Sequence, residues 1–307
     1  MLAEDVVVVG DSRSYVWGTR TAWEWSGSGV AMTDGATDPA QRALSKIDTT
    51  APQSARIWNY WLGGKDNYEV DRAAGDAFKE LFPGIEEEAR ASRYFLVRAV
   101  RFLAGERGIR QFLDVGTGLP TVDNTHEVAQ RVAPDARVVY VDNDPLVLAH
   151  AQALLTSTTP EGSTRYIDAD LREPERILEA ARESLDFTRP VALMLMGILG
   201  LVEGHDEACS IVRRLMAELP SGSYLVHYDG GNTNEVYNEA TRRYNEISGA
   251  PYILRSPEQI ARYYDGLELV EPGVVSCSRW RPDIVDGGGA GGLPPAVNEY
   301  GGVARKP

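Results

Sequence analysis

"RQFLDVGTGLP", residues 110–120, decides how this chain is read. A short apolar strand runs into a loop whose glycines, Gly116 and Gly118, stand one residue apart, with Asp114 just ahead of them. Glycine loops after strands let a ligand approach the backbone closely, because no Cβ intervenes. Two departures separate this loop from a dinucleotide fingerprint. Thr121 stands where a third glycine or alanine belongs, and Asp114 puts a negative charge where a pyrophosphate would have to approach. The loop therefore favours a ligand that is positively charged at this point.

Outward from the loop, short β-rich runs alternate with amphipathic helical stretches. "ARVVYVDND", "TRYIDAD", "VALMLMGI" and "SGSYLVHYD" are strands, separated by "NTHEVAQRVA", "PLVLAHAQALLTS", "EPERILEAARES" and "HDEACSIVRRLMAEL". That alternation predicts a parallel sheet covered on both faces. Further on, helices are predicted in "NEVYNEATRRYNEI" and "SPEQIARYYDG", and strand segments in "LELVEPG" and "VVSCSRW". Upstream, "SARIWNYWLGG", "DNYEVDRAAGDAFKELFP" and "IEEEARASRYFLVRAVRFLAGERG" have helical spacing of apolar residues. Residues 1–31 hold Trp17, Trp23 and Trp25 in Gly/Ser-rich text without periodicity, and Met32 opens an ordinary polar N-terminus. The expected organisation is a disordered extension over 1–50, a helical cap or lid over 51–109 and an α/β core over 110–285. A Gly-rich linker and C-terminal tail would occupy 286–307.

Composition excludes several classes of partner. The formal net charge of −14, with no basic run, argues against nucleic acid, whose binding rests on clustered Lys and Arg. The longest apolar run, "VALMLMGILGLV", is too short to span a bilayer, so no membrane partner is expected. Cys209 and Cys277 form no C-x-x-C pair and read as reduced thiols of a cytoplasmic protein. His126, His150, His205 and His227 lack metal-ligand spacing, so no metal is expected. Oligomeric state is left open.

Two further acids close strands. Asp142, followed by Asn143, ends "VVYVDND", and Asp170, followed by Leu171, ends "YIDAD". A carboxylate at the second strand end can accept from both hydroxyls of a ribose, and one at the third from an exocyclic adenine amine. Together with the loop Gly116-Thr117-Gly118, the three acids describe a ligand with a cationic end, a ribose and an adenine but no phosphate. S-adenosylmethionine fits. Gly197, after the fourth strand, joins this cofactor set. Other polar residues have local roles: Asp144 reads as a helix cap, Asn124 with Glu127 as a capping box, and His126 as a helix-surface residue. The turn "GGKDNY" is expected to close over the ligand as a lid, with Tyr60, Asn67 and Tyr68 as acceptor-side candidates. Glu203, His205, His227 and Tyr228 lie beyond the fourth and fifth strands as possible bases, and no catalytic residue is assigned.

On these residues the chain resembles the class I S-adenosylmethionine-dependent methyltransferases: "FLDVGTG" looks like their first motif, "VVYVDND" and "YIDAD" their second and third. More narrowly, "ARIWNYWLGGKDNYEVDR", "FLDVGTGLPTVDNTHEVAQ", "YVDNDPLVLAHAQALL" and "GGVARKP" are similar to a bacterial family of S-adenosyl methyltransferases catalogued as a domain of unknown function. The resemblance implies a Rossmann-like seven-stranded methyltransferase sheet, its last strand antiparallel and inserted between the fifth and sixth, with an N-terminal helical extension. It also implies that Asp114, Gly116 and Gly118 surround the methionine end of the cofactor, Asp142 the ribose, and Asp170 with Leu171 the adenine. The reaction expected is in-line transfer of a methyl group to an N, O or C nucleophile of a small molecule. Alternatives are a non-catalytic S-adenosylmethionine-binding regulator and an NAD(P)-dependent oxidoreductase. On the ribose assignment, Asp142→Ala weakens cofactor binding by about 1–3 kcal/mol, the scale for losing hydrogen bonds to a charged group. Calorimetric titration checks this, and unchanged affinity removes the assignment.

Overall fold

The computed structural model describes residues 47–154, 156–283 and 293–307. Most of the expected extension (1–46) and of the linker (284–292) lies outside the described residues. Residues 47–50, expected in that extension, belong to the fold: the Asp48 carbonyl accepts from Arg56 Nη1 at 3.0 Å.

Five parallel strands form the frame, β1 (Gln111–Val115), β2 (Arg137–Asp142), β3 (Ser163–Asp168), β4 (Ala192–Met196) and β5 (Tyr224–Gly230). The sheet is completed by β6 (Glu268–Leu269), β7 (Val275–Ser276) and β8 (Glu299–Arg305). The strand order is β3-β2-β1-β4-β5-β8-β6, with β7 also paired to β8. Side chains alternate between two apolar layers, as period-2 strands require. Leu113, Val139, Leu193 and Leu225 face α6 (Pro174–Ala181) and α7 (His205–Ala217). Phe112, Val138, Met194 and Val226 face α3 (Ile85–Arg101) and α4 (Thr125–Val132).

A third apolar cluster joins α1 (Ser54–Trp61), α2 (Glu69–Leu81) and the start of α3 to α8 (Glu235–Ile247), through Ile57, Trp61, Phe78, Ile85, Tyr237 and Tyr244. Residues 51–109 are therefore not a separate cap, because α3 packs on the sheet itself. The remaining helices are α5 (Pro145–Leu154), whose second residue donates to Asp144 Oδ1 at 2.8 Å, and α9 (Pro257–Ala261). Among the described residues no helix is long and apolar enough to cross a membrane.

The C-terminal segment differs most from expectation. Read as a tail, it supplies β8, the antiparallel strand beside β5. The segments around 268 and 275 are reduced to two short strands sharing its outer edge. Within β8, the pair Gly301-Gly302 is required by close packing. A Cβ on Gly301 would stand 2.2 Å from the His227 carbonyl oxygen and 2.6 Å from Tyr228 Cβ. Gly301→Ala is expected to destabilise the protein by about 1–3 kcal/mol, the scale of overpacking, in urea denaturation. Gly249→Ala, where nothing lies within 4 Å, is the neutral control.

Candidate active site

The sheet reverses direction between β1 and β4, where crevices form beyond the carboxyl ends of open α/β sheets. Past Val115 the chain turns sharply, with Gly116 at φ 76° and Gly118 at φ 64°, a region that side chains other than glycine rarely enter. At Gly116 a Cβ would also stand 2.4 Å from Ile198 Cγ1.

The turn is held by the neighbouring strand. Gly116 N–H donates to the Val141 carbonyl at 2.8 Å, and Gly118 N–H donates to Asp142 Oδ2 at 2.8 Å. Asp142 Oδ1 accepts from the N–H groups of Asn143 at 2.9 Å and Asp144 at 3.0 Å. Asp114, 4 % exposed, accepts from Thr125 Oγ1 at 2.6 Å. Burial pushes its carboxyl up to about 6, opposed by the Thr125 hydrogen bond and by the Arg93 charge. Burial likewise raises Asp142 to about 6, opposed chiefly by its backbone donors.

Above the loop lies a cavity of about 510 Å³. Its polar end carries Asp114, Gly116, Thr117, Gly118, Asp142, Asn143 and Gly197. Its other end is aromatic, walled by Trp58, Trp61, Tyr228, Tyr237 and Tyr252. The seven polar-end residues were all expected on the cofactor side, and the structure brings them together.

Eight other candidates do not reach the wall. One Asp170 oxygen accepts from Arg172 N–H at 2.8 Å and the other from Asn143 Nδ2 at 3.0 Å, so it organises its own turn. Leu171 is packed into the core, and Arg172 lines the cavity in their place. Tyr60 donates to Asp76 at 2.7 Å on the outer side of α1, while Trp58, Asn59, Trp61 and Leu62 of the same segment face inward. Asn67 Nδ2 donates to Asn59 Oδ1 at 3.0 Å and to the Gly64 carbonyl, which closes the turn. The Tyr68 ring lies under the Arg56 guanidinium at 5.1 Å. Helix α1 does line the cavity, but through residues other than the expected ones.

His227 is fully buried on the opposite face of β5 from Tyr228, its Nε2 3.0 Å from Asp229 Oδ2. Glu203 is exposed outside the cavity and His205 lies half-buried, also outside it. His126 is buried, not on the helix surface, with Nδ1 2.8 Å from the Tyr140 hydroxyl. Asn124 does form the expected box, its N–H donating to Glu127 at 2.8 Å.

Arg93 and Glu299, both in the cavity wall, escaped the sequence reading. The signal for Arg93 was a polar Ser92-Arg93 pair beside the apolar Phe95-Leu96 of α3. Arg93 Nη2 donates to the carbonyls of Val122 at 3.2 Å and Asp123 at 2.9 Å. Its Nε is buried without a partner among the described residues.

A switch-point crevice in which carboxylates, not a phosphate cradle, surround the glycine loop defines the S-adenosylmethionine-dependent methyltransferase class. The model of the S-adenosyl methyltransferase family matches residues 40–307, and the chain belongs to that family. It is similar to a DUF574 family protein from Streptomyces avermitilis MA-4680, at 47% identity and TM-score 0.79 over 85% of this chain and 100% of that one. It is also similar to a candidate methyltransferase from Thermobifida fusca YX, at 44% identity and TM-score 0.77 over 84% of this chain and 96% of that one. Comparison with functionally curated proteins finds no match. The protein is a methyltransferase and S-adenosylmethionine is its cofactor.

Keeping Asp114 ionised in this site costs stability. Its folded pKa of about 6 exceeds the ordinary value of 3.8, so the native state binds the proton more tightly. That stabilisation is complete below about pH 4 and is lost as pH rises through about 6. Asp114→Asn, neutral throughout, is expected to be more stable than wild type by about 1–3 kcal/mol at about pH 7.5. The difference should disappear towards about pH 4 in urea denaturation.

Proposed function

We propose that the polar end of the cavity holds S-adenosylmethionine and that the aromatic end receives a small-molecule methyl acceptor. The observation that carries this reading is the opposed charge pair at the glycine loop. The Arg93 guanidinium is near enough to Asp114 to pull its carboxyl down, and it keeps a buried N–H without a partner among the described residues. An amino-acid end needs this combination, with Asp114 for the ammonium and Arg93 for the carboxylate. Asp142, still partly exposed, accepts from three backbone N–H groups and so keeps one of its about four acceptor sites, on Oδ2, for a ribose hydroxyl. Asn143 and Arg172 would flank the base, in place of the expected Asp170 and Leu171.

Bound there, S-adenosylmethionine supplies an electrophilic methyl group on a sulfonium. The chain's own residues align the acceptor and exclude water, the two effects from which such a transfer benefits most. Trp58 and Trp61 of α1 and Tyr237 of α8 wall the aromatic end away from solvent. Burial pushes the Tyr228 phenol far above neutrality, so it stays protonated and can donate to an acceptor but not deprotonate one. Its ring stands beside Gly197, where a Cβ would be 3.2 Å away. A cytoplasmic setting accords with both cysteines being unpaired and buried.

Calorimetry with S-adenosylhomocysteine, followed by transfer of labelled methyl into the low-molecular-mass fraction of a bacterial extract, tests the reading. Binding of the homocysteine ammonium requires ionised Asp114. Its affinity should therefore be constant between about pH 7 and 8 and fall about tenfold per pH unit below about 6. Affinity that stays flat to about pH 5 would remove Asp114 from the ammonium site.

A further inference from the structure

The inner end of the cavity carries a buried acid that the cofactor does not account for. Glu299 opens β8, in register with Gly230 of β5. It is 2 % exposed, lines the cavity, and neither carboxyl oxygen makes a hydrogen bond of good geometry among the described residues. Glu88 of α3 stands beside it, also buried, its two oxygens accepting from Asn298 N–H at 2.6 Å and Nδ2 at 2.7 Å. Tyr237 offers its hydroxyl as the remaining polar neighbour. Burial first, and then Glu88, push the Glu299 carboxyl well above the ordinary range.

The cations of the cavity wall are engaged elsewhere. Arg56 pairs with Asp71 at 2.8 Å, Arg172 donates to the Leu201 carbonyl at 2.8 Å, and Arg93 serves the loop after β1. Two buried carboxyls side by side hold a proton tightly, and a cation bound in its place would pair with the ionised form.

Distance separates this acid from the cofactor's own ammonium. From β1 the sheet runs through β4 and β5 to β8. Asp114 is in register with Met194, Val226 and then Val303, and Glu299 stands further along β8, so at about 4.8 Å per strand the two are more than about 14 Å apart. The aromatic rings of Trp58, Trp61 and Tyr237 line the same end, and ring faces attract cations.

Resting on the cofactor reading above, we propose that the methyl acceptor is a small molecule bearing an ammonium group, and that Glu299 holds this ammonium at the end of the cavity remote from the glycine loop. The test uses the full chain saturated with S-adenosylhomocysteine, with benzylamine and benzyl alcohol as probes followed by tryptophan fluorescence. Benzylamine should bind at least about tenfold more tightly than benzyl alcohol, the scale of a charge-assisted hydrogen bond. Glu299→Gln should abolish that preference and leave the affinity for S-adenosylhomocysteine unchanged. Equal affinities of the two probes in wild type, no benzylamine binding, or a preference that survives in Glu299→Gln overturns the proposal. Should the variant not fold, the wild-type contrast decides alone. Failure of S-adenosylhomocysteine to bind wild type strikes the cofactor reading instead, and that is measured before any amine is added.

Discussion

The carboxylate of Asp142 holds the site together. One oxygen accepts from Gly118 N–H and the other from Asn143 and Asp144, so a single side chain ties the tip of β2 to the loop leaving β1. The loop needs this restraint because its glycines have little conformational preference of their own. Its shape is set from three directions: the Asp142 clamp, the Val141 carbonyl that accepts from Gly116, and the Ile198 side chain that leaves no room for a Cβ. The bracing role leaves one acceptor site on Oδ2 for the ribose hydroxyl proposed above.

Charge in this cavity is organised by sheet position. Asp114 and Asp142 stand on β1 and β2, Glu299 on β8, and the strands between contribute Met196, Gly197 and Tyr228, which carry no charge at neutrality. Such an arrangement opposes stability, since each buried acid prefers its neutral form. Binding sites commonly hold groups whose ionisation the fold alone would not favour.

Much of the frame was legible in the sequence because its signals are local. Phe112-Leu113 and Val138-Val139 send alternate residues to opposite apolar layers, and that pattern survives without tertiary information. The acids of β1 and β2 were legible because each closes a strand. Asp170 shows the limit of that reasoning. Expected to close the third strand, it lies two residues past the end of β3, where the Arg172 N–H captures it for a turn. Trp58, Arg93, Tyr237 and Glu299 come from four distant segments, and only the packed fold brings them to one cavity. On α1, helical spacing identified an apolar stripe without revealing that its inward face would line a ligand space.

The antiparallel insertion of β8 links the last of these residues to the architecture. In a parallel strand, the residue at the ligand-binding edge of the sheet is the final one. Because β8 runs the other way, its first residue, Glu299, arrives there opposite the end of β5. Its other end is anchored at the far edge, where Lys306 Nζ donates to the carbonyls of Met216 at 2.8 Å, Ala217 at 2.9 Å and Leu219 at 2.7 Å, beyond the C-terminus of α7. A cation there also meets the negative end of the helix dipole. Between the two ends, Gly301 lets the strand pack against the His227 carbonyl so closely that a side chain at this position would force it away from β5. Gly301 is therefore what lets β8 lie against β5. With the Lys306 anchor, it keeps a buried acid facing the aromatic end of the cavity.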